Sequence, residues 1–117
     1  MSLHVDLEHQ RHVLIVRLQG ELDHHTADTV RVRMEEAILR GGSTDVVLSL
    51  KDLAFMDSSG LGVILGRYKL LKSRGGKMVI CEASPGVYRL FELSGLFKIM
   101  PIHDKESEAL SSLEVAL

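Results

Sequence analysis

Leu3, Val5 and Leu7 alternate with His4, Asp6 and Glu8, and after a polar stretch from Glu8 to Arg11 comes the denser apolar run Val13 to Leu18. A period of two predicts a strand with one face on a core, and the pair reads as two hairpin-joined strands with the first at a sheet edge. From Asp23 the period lengthens. Ala27, Val30, Met34, Ala37 and Ile38 recur at the spacing that lines one side of a helix. Asp23 suits the N-cap and Gly41-Gly42 the stop, so the first helix is read as Asp23 to Arg40.

The β-branched run Val46-Val47-Leu48 with Leu50 predicts a strand buried on both faces, followed by a loop from Lys51 to Asp57. Leu61, Ile64, Leu65, Tyr68 and Leu71 mark a second helix that stops at Gly75-Gly76, and Met78 to Cys81 is the next buried strand. A third helix carries Ser84 as N-cap, Pro85 at its first position, Val87, Leu90 and Phe91 inward and Gly95 past its end. Ile99 to Ile102 reads as a last short strand, placed at an edge because Pro101 cannot donate to a ladder. Asp104 is read as the cap of a closing helix with Ala109, Leu110, Leu113 and Ala116 at core spacing. Helices that alternate with the later strands imply crossovers and a mostly parallel sheet. The fold class is therefore α/β: one domain over 1–117, a small mostly parallel sheet with an N-terminal hairpin strand, flanked by four helices.

Composition narrows the chemistry. The chain has 117 residues, a formal charge of -2 and a single cysteine, Cys81. A chain of this size buries roughly two thirds of its unfolded surface, enough for one core without disulfides. One cysteine allows neither an internal disulfide nor a multi-cysteine metal site, in keeping with a reducing compartment. The charge balance offers no basic field for a phosphate backbone, so nucleic acid is not an expected partner. No apolar run approaches the ~20 residues that span a bilayer, and the first dozen residues lack a secretory core. The expectation is a cytoplasmic protein without membrane attachment.

The stretch Phe55-Met56-Asp57-Ser58-Ser59-Gly60-Leu61-Gly62 sits where a strand's end turns into a helix, the place where open α/β sheets meet ligands and partners. Either Asp57 or Ser58 could cap that helix alone. Three polar residues in a row, followed by Gly60, Gly62 and Gly66, exceed what a cap needs, since each glycine inside a helix costs about 1 kcal/mol relative to alanine. With Leu61 toward the core, Ser59, Gly62 and Gly66 lie near one another on the opposite flank, where a stripe without side chains admits a neighbouring helix or an external partner.

Enzyme motifs fail by spacing. Gly60-x-Gly62 is followed by Leu65 where a dinucleotide fingerprint needs its third glycine, and Gly76-Lys77 is preceded by Leu71 and followed by Met78 where a P-loop needs glycine and Ser/Thr. Met56 stands in place of the first glycine of a nucleophile elbow around Ser58. His24 and His25, adjacent and so about 100° apart on a helix, read as solvated first-turn residues. Asp23 ends Gly20-Glu21-Leu22-Asp23 near the C-terminal end of a strand, beside the Asp57 turn, with a helix N-cap as its simplest role. Leu96 and Phe97 read as buried under the last helix, or as a docking pair. No catalytic residues, metal ligands or cofactor are assigned.

The segments Gly20-Glu21-Leu22-Asp23-His24-His25-Thr26-Ala27, Phe55 to Tyr68 and Phe91-Glu92-Leu93-Ser94-Gly95-Leu96-Phe97-Lys98 closely resemble the anti-sigma factor antagonists of sporulating bacilli. These are single-domain members of the STAS (sulfate transporter and anti-sigma factor antagonist) family. The resemblance implies a non-enzymatic module whose unphosphorylated form binds a nucleotide-bound anti-sigma serine kinase and so releases a sporulation sigma factor. Serine phosphorylation inactivates it and a serine phosphatase restores it. Ser58 matches the phosphoacceptor; helical-wheel position alone does not choose between Ser58 and Ser59. Asp23, Asp57, Ser58, Ser59, Gly60 and Gly62 form the expected docking edge. Two alternatives use the same Asp57-Ser58-Ser59-Gly60 helix start: a small nucleotide-binding module, and a serine hydrolase.

Overall fold

The computed structural model describes residues 2–114. The elements are β1 (Leu3–Gln10), β2 (Val13–Leu22), α1 (Ala27–Arg40), β3 (Asp45–Met56), α2 (Ser58–Ser73), β4 (Met78–Cys81), α3 (Pro85–Ser94), a 3-10 turn (Leu96–Lys98), β5 (Ile102–His103) and α4 (Glu106–Glu114). One five-stranded sheet has the order β1-β2-β3-β4-β5. Only the β1–β2 pair is antiparallel; β2–β3, β3–β4 and β4–β5 are parallel. Crossovers of one hand that step across a sheet in one direction put every connecting helix on the same face. Accordingly Val30, Met34 and Ile38 of α1, Ile64 and Leu71 of α2, and Val87 and Phe91 of α3 share one core with Leu14, Val16, Leu48, Leu50 and Ile80. Among the described residues the other face is covered by α4, whose Ala109 and Leu113 pack on Val13, Ile15, Val47, Val79 and Cys81.

Several expected boundaries move, each for a physical reason. The expected loop from Lys51 is instead the second half of β3, because β2 runs on to Leu22 and offers it a partner. Two register shifts leave β3 one residue longer than β2 between Arg17/Gln19 and again between Gly20/Glu21. These bulges break the alternation, so the buried residues there are Leu50, Leu53 and Met56, three apart rather than two. At the other end, Ile99–Ile102 is not a strand: the Ile99 and Met100 N–H groups donate to the Leu96 carbonyl at 3.1 and 3.0 Å. Left-handed Gly95 (φ 78°) turns the chain into that 3-10 turn, and the edge strand begins only after Pro101, whose carbonyl accepts from Ile80 N–H. Leu96 is buried and Phe97 is 42 % exposed, so the two do not act as one pair.

The start of α4 is met by Glu82 rather than Asp104: the Glu82 carboxylate accepts from Glu106 N–H at 3.0 Å. Ala109 and Leu113 take their expected inward places, Leu110 is partly buried, and Ala116 lies outside the described residues. A fork of charge-assisted bonds clamps the helix down. Arg17 Nε and Nη2 donate to the two oxygens of Glu106, both at 2.9 Å, while Nη1 reaches Glu8 at 2.8 Å. Hydrogen bonding to Arg17 is the main reason the Glu106 carboxyl lies below its ordinary value of 4.5, with burial opposing it. A carboxyl whose pKa is lower folded than unfolded contributes stability that is present above the unfolded value and is lost as pH falls through the folded one. Glu106→Gln should therefore reduce stability near pH 7 by about 1 kcal/mol, and the difference from the parent should shrink below pH 4.5. Urea midpoints at pH 7 and pH 3.5 measure this; a difference independent of pH would exclude the charge as its source.

Candidate functional site

The C-terminal ends of β2 and β3 lie side by side, with Glu21 opposite Phe55 and Leu22 opposite Met56. The Asp57 N–H donates to the Leu22 carbonyl at 3.2 Å, tying together the turns that follow the two strands. Each turn is organised by its own aspartate. Asp57 has extended backbone at the N-cap of α2, and its Oδ1 accepts from Ser59 N–H at 2.9 Å. The carboxylate thus satisfies one of the N–H groups a helix start leaves free.

Asp23 does not cap the first helix. That helix begins at Ala27 with Thr26 at its N-cap position, because Asp23 closes a separate turn ahead of it. Asp23 Oδ1 accepts from the N–H groups of His25 (2.8 Å) and Thr26 (3.1 Å). The Thr26 hydroxyl accepts from Asp23 N–H and donates to the Glu21 carbonyl at 2.8 Å. Asp23 is only 4 % exposed. Burial pushes its carboxyl pKa up, but the bonds from His25 and Thr26 outweigh it and hold the pKa below the ordinary value. Asp23 therefore shapes the turn from beneath rather than presenting charge to a partner.

Gly60 is likewise internal. It is buried, and a Cβ there would lie 2.4 Å from Met56 Cγ and 2.9 Å from Leu22 Cγ. Absence of a side chain lets the first turn of α2 settle onto the ends of β2 and β3. With Gly60, Val63, Ile64 and Leu71 facing in, Leu61 is displaced to a half-buried flank. Gly62 and Gly66 look outward: a Cβ on either would meet nothing within 4 Å. No neighbouring helix occupies that stripe, so the helix-packing explanation for these glycines is removed.

What remains at the surface is Ser58, exposed at the first position of α2, with half-buried Ser59 beside it and Gly62 one turn on. Among the described residues nothing hydrogen-bonds the Ser58 hydroxyl. Two side chains join the site that sequence reasoning gave no role. His24 Nδ1 stands 3.9 Å from Asp57 Oδ2, with the His25 ring 3.9 Å from its own, centroid to centroid, and tilted by 40°. Phe55 is 47 % exposed. The tandem histidines were visible in the chain, but their place beside Asp57 depends on the β2–β3 pairing. The His24 imidazole lies beside Asp57, and among the described residues no imidazole hydrogen-bonds Ser58, so the serine lacks the hydrogen-bonded base that a nucleophile needs. Elsewhere, Cys81, Glu82 and Glu106 bring ligand atoms within 4.8 Å. Both Glu106 oxygens are engaged by Arg17, and burial pushes the Cys81 thiol up to about 11, away from the thiolate a metal would require.

The sequence pattern of the STAS domain matches residues 4–109, from β1 through the sheet to the first turn of the last helix. The chain belongs to the STAS domain family. It is 63% identical over 115 residues to the anti-sigma F factor antagonist of Paenibacillus polymyxa, covering 98% of each chain. Its fold superposes on the unphosphorylated form of the anti-sigma factor antagonist SpoIIAA with a TM-score of 0.85, at 35% identity over 97% of this chain and 99% of that one. It superposes on the phosphorylated form of SpoIIAA, described as a Bacillus cell fate determinant, with a TM-score of 0.75, at 35% identity over 93% and 98%. The expected family and the mostly parallel α/β sheet with its antiparallel N-terminal strand both hold.

Proposed function

We propose that this STAS domain is an anti-sigma factor antagonist whose exposed Ser58 is a phosphorylation switch. In its unphosphorylated form it binds a nucleotide-bound anti-sigma serine kinase, and a sporulation sigma factor is released. Phosphorylation by that kinase ends the interaction, and a serine phosphatase restores it. The single observation that carries the assignment is the free, exposed Ser58 hydroxyl at the start of α2, its neighbour Ser59 being half-buried with its N–H taken by Asp57. A kinase must reach the hydroxyl in line with a terminal phosphate, and Ser58 is the more open of the two. The existence of a relative in both phosphorylated and unphosphorylated forms supports the same reading.

The docking edge then consists of Ser58, Ser59 and Gly62, with Phe55, His24 and the edge of Asp57 around them. Asp23 and Gly60 support it from inside. Among the described residues no helix is long and apolar enough to cross a membrane, and we place the exchange of partners in the cytoplasm. Incubation with the cognate kinase and ATP should add one phosphate per chain to the parent and none to Ser58→Ala, read by intact-protein mass spectrometry. A Ser58→Ala protein modified to the same extent would move the switch to another residue.

A further inference from the structure

The opposite end of α2 carries a second surface that the switch leaves unused. From Ser58 to Cys81 the chain has five basic residues, Arg67, Lys69, Lys72, Arg74 and Lys77, and no acidic one. Arg67 pairs with Glu35 at 3.2 Å; the other four form no ion pair among the described residues. A half-open groove of about 430 Å³ is lined by Tyr68, Lys72, Lys77, Met78, Ile99 and Pro101, with Val79 at its edge. This falls within the range of roughly 300–1,000 Å³ of small-molecule sites. Ile99 is 45 % exposed beside it, and no carboxylate lines it. Lysines near a helix C-terminus commonly answer its free carbonyls. Lys72 does otherwise: its Nζ lies 3.4 Å from the Tyr68 hydroxyl and 5.7 Å above the Tyr68 ring, folded along the groove wall. Lys77 stands beyond the helix, past Gly76, on the other side.

We propose that this groove binds a single-chain anionic amphiphile, its alkyl chain on the Met78-Val79-Ile99-Pro101 lining and its carboxylate between Lys72 and Lys77. A mostly apolar lining favours an alkyl body over a polar ring, and two cations without a carboxylate beside them favour an anionic head. At a rise of 1.5 Å per residue, Tyr68 and Lys72 lie about 15 and 21 Å along α2 from Ser58. The groove therefore shares no residue with the docking edge at the switch.

The test is an NMR titration of the ¹⁵N-labelled chain with sodium decanoate below its micelle concentration. Saturable shifts confined to Gly75–Val79 and Ile99 are expected, with binding weakened by added salt. Lys72→Glu combined with Lys77→Glu, both at exposed positions, should weaken binding about tenfold or more by turning two attractions into repulsions. Decyltrimethylammonium should not compete. Absence of saturable shifts, shifts centred on the Ser58 end, equal binding of the cationic amphiphile, or an unaffected double variant would each overturn the proposal. So would sedimentation with phosphatidylglycerol vesicles by a chain that ignores decanoate, which would assign the basic surface to a bilayer.

Discussion

Phosphorylation at Ser58 is expected to weaken binding to the anti-sigma kinase more than a hundredfold while leaving the domain's own stability almost unchanged. A phosphoserine adds a charge of about -1.5 to -2. Placed at the first position of α2, it meets free N–H groups and the positive end of the helix dipole, which favour it by about 0.3–1 kcal/mol at an exposed site. The Asp57 carboxylate next to it opposes that gain. The net effect on folding should stay within about 1 kcal/mol, a melting shift of only a few degrees.

Across an interface the balance differs. In the proposed interface the partner meets a small neutral hydroxyl at Ser58 and no side chain at Gly62. A doubly charged group would have to be desolvated against it, and a loss of about 3 kcal/mol already exceeds a hundredfold in affinity. Isothermal titration of both forms against the kinase with nucleotide, alongside their melting curves, separates the two effects. Equal affinity would remove Ser58 from the contact; a large fall in melting temperature would show that the phosphate acts by disturbing the fold.

Gly76→Ala should be strongly destabilising although it lies far from the switch. A Cβ at Gly76 would lie 1.8 Å from the backbone oxygen of Thr44 and 3.0 Å from its carbonyl carbon. Neither atom belongs to a side chain that can rotate away. Relief requires the entrances of β3 and β4 to part, although Val46 N–H donates to the Lys77 carbonyl at 2.9 Å and Lys77 N–H donates to Asp45 Oδ1 at 2.9 Å. Losing part of that network in addition to the overlap should cost about 3 kcal/mol or more, a fall in melting temperature of about 10 °C. Gly75→Ala is the control: its Cβ meets nothing within 4 Å, and only its left-handed φ of 79° opposes the change, a penalty of about 1–2 kcal/mol. Equal melting temperatures for the two variants would refute the steric argument.

Much of this protein could be read from the order of its residues. Periods of two and 3.6, with glycine and proline at the ends, placed all four helices and four of the five strands close to where they lie. Ser84 and Gly95 cap α3 as expected, the serine hydroxyl accepting from Val87 N–H at 3.4 Å. The polar and glycine-rich run at 57–62 marked the helix start, and Asp57 performs the capping its residue type suggests. These features were legible because local hydrogen bonding and side-chain spacing act over a few residues.

Tertiary pairing decided the rest. The bulges of β3 depend on β2 running on to Leu22, so Lys51–Met56 looked irregular without its partner. Asp23 and Gly60 sit among the expected docking residues in sequence but inside in space: the strand ends beneath them, at Leu22 and Met56, consume the surface they would have shown. His24 reaches Asp57, 33 residues away along the chain, only because β2 and β3 are parallel neighbours whose ends pair Leu22 with Met56. Which element a residue belongs to is set by short-range geometry; which side of that element faces water is set by packing against segments far away in sequence.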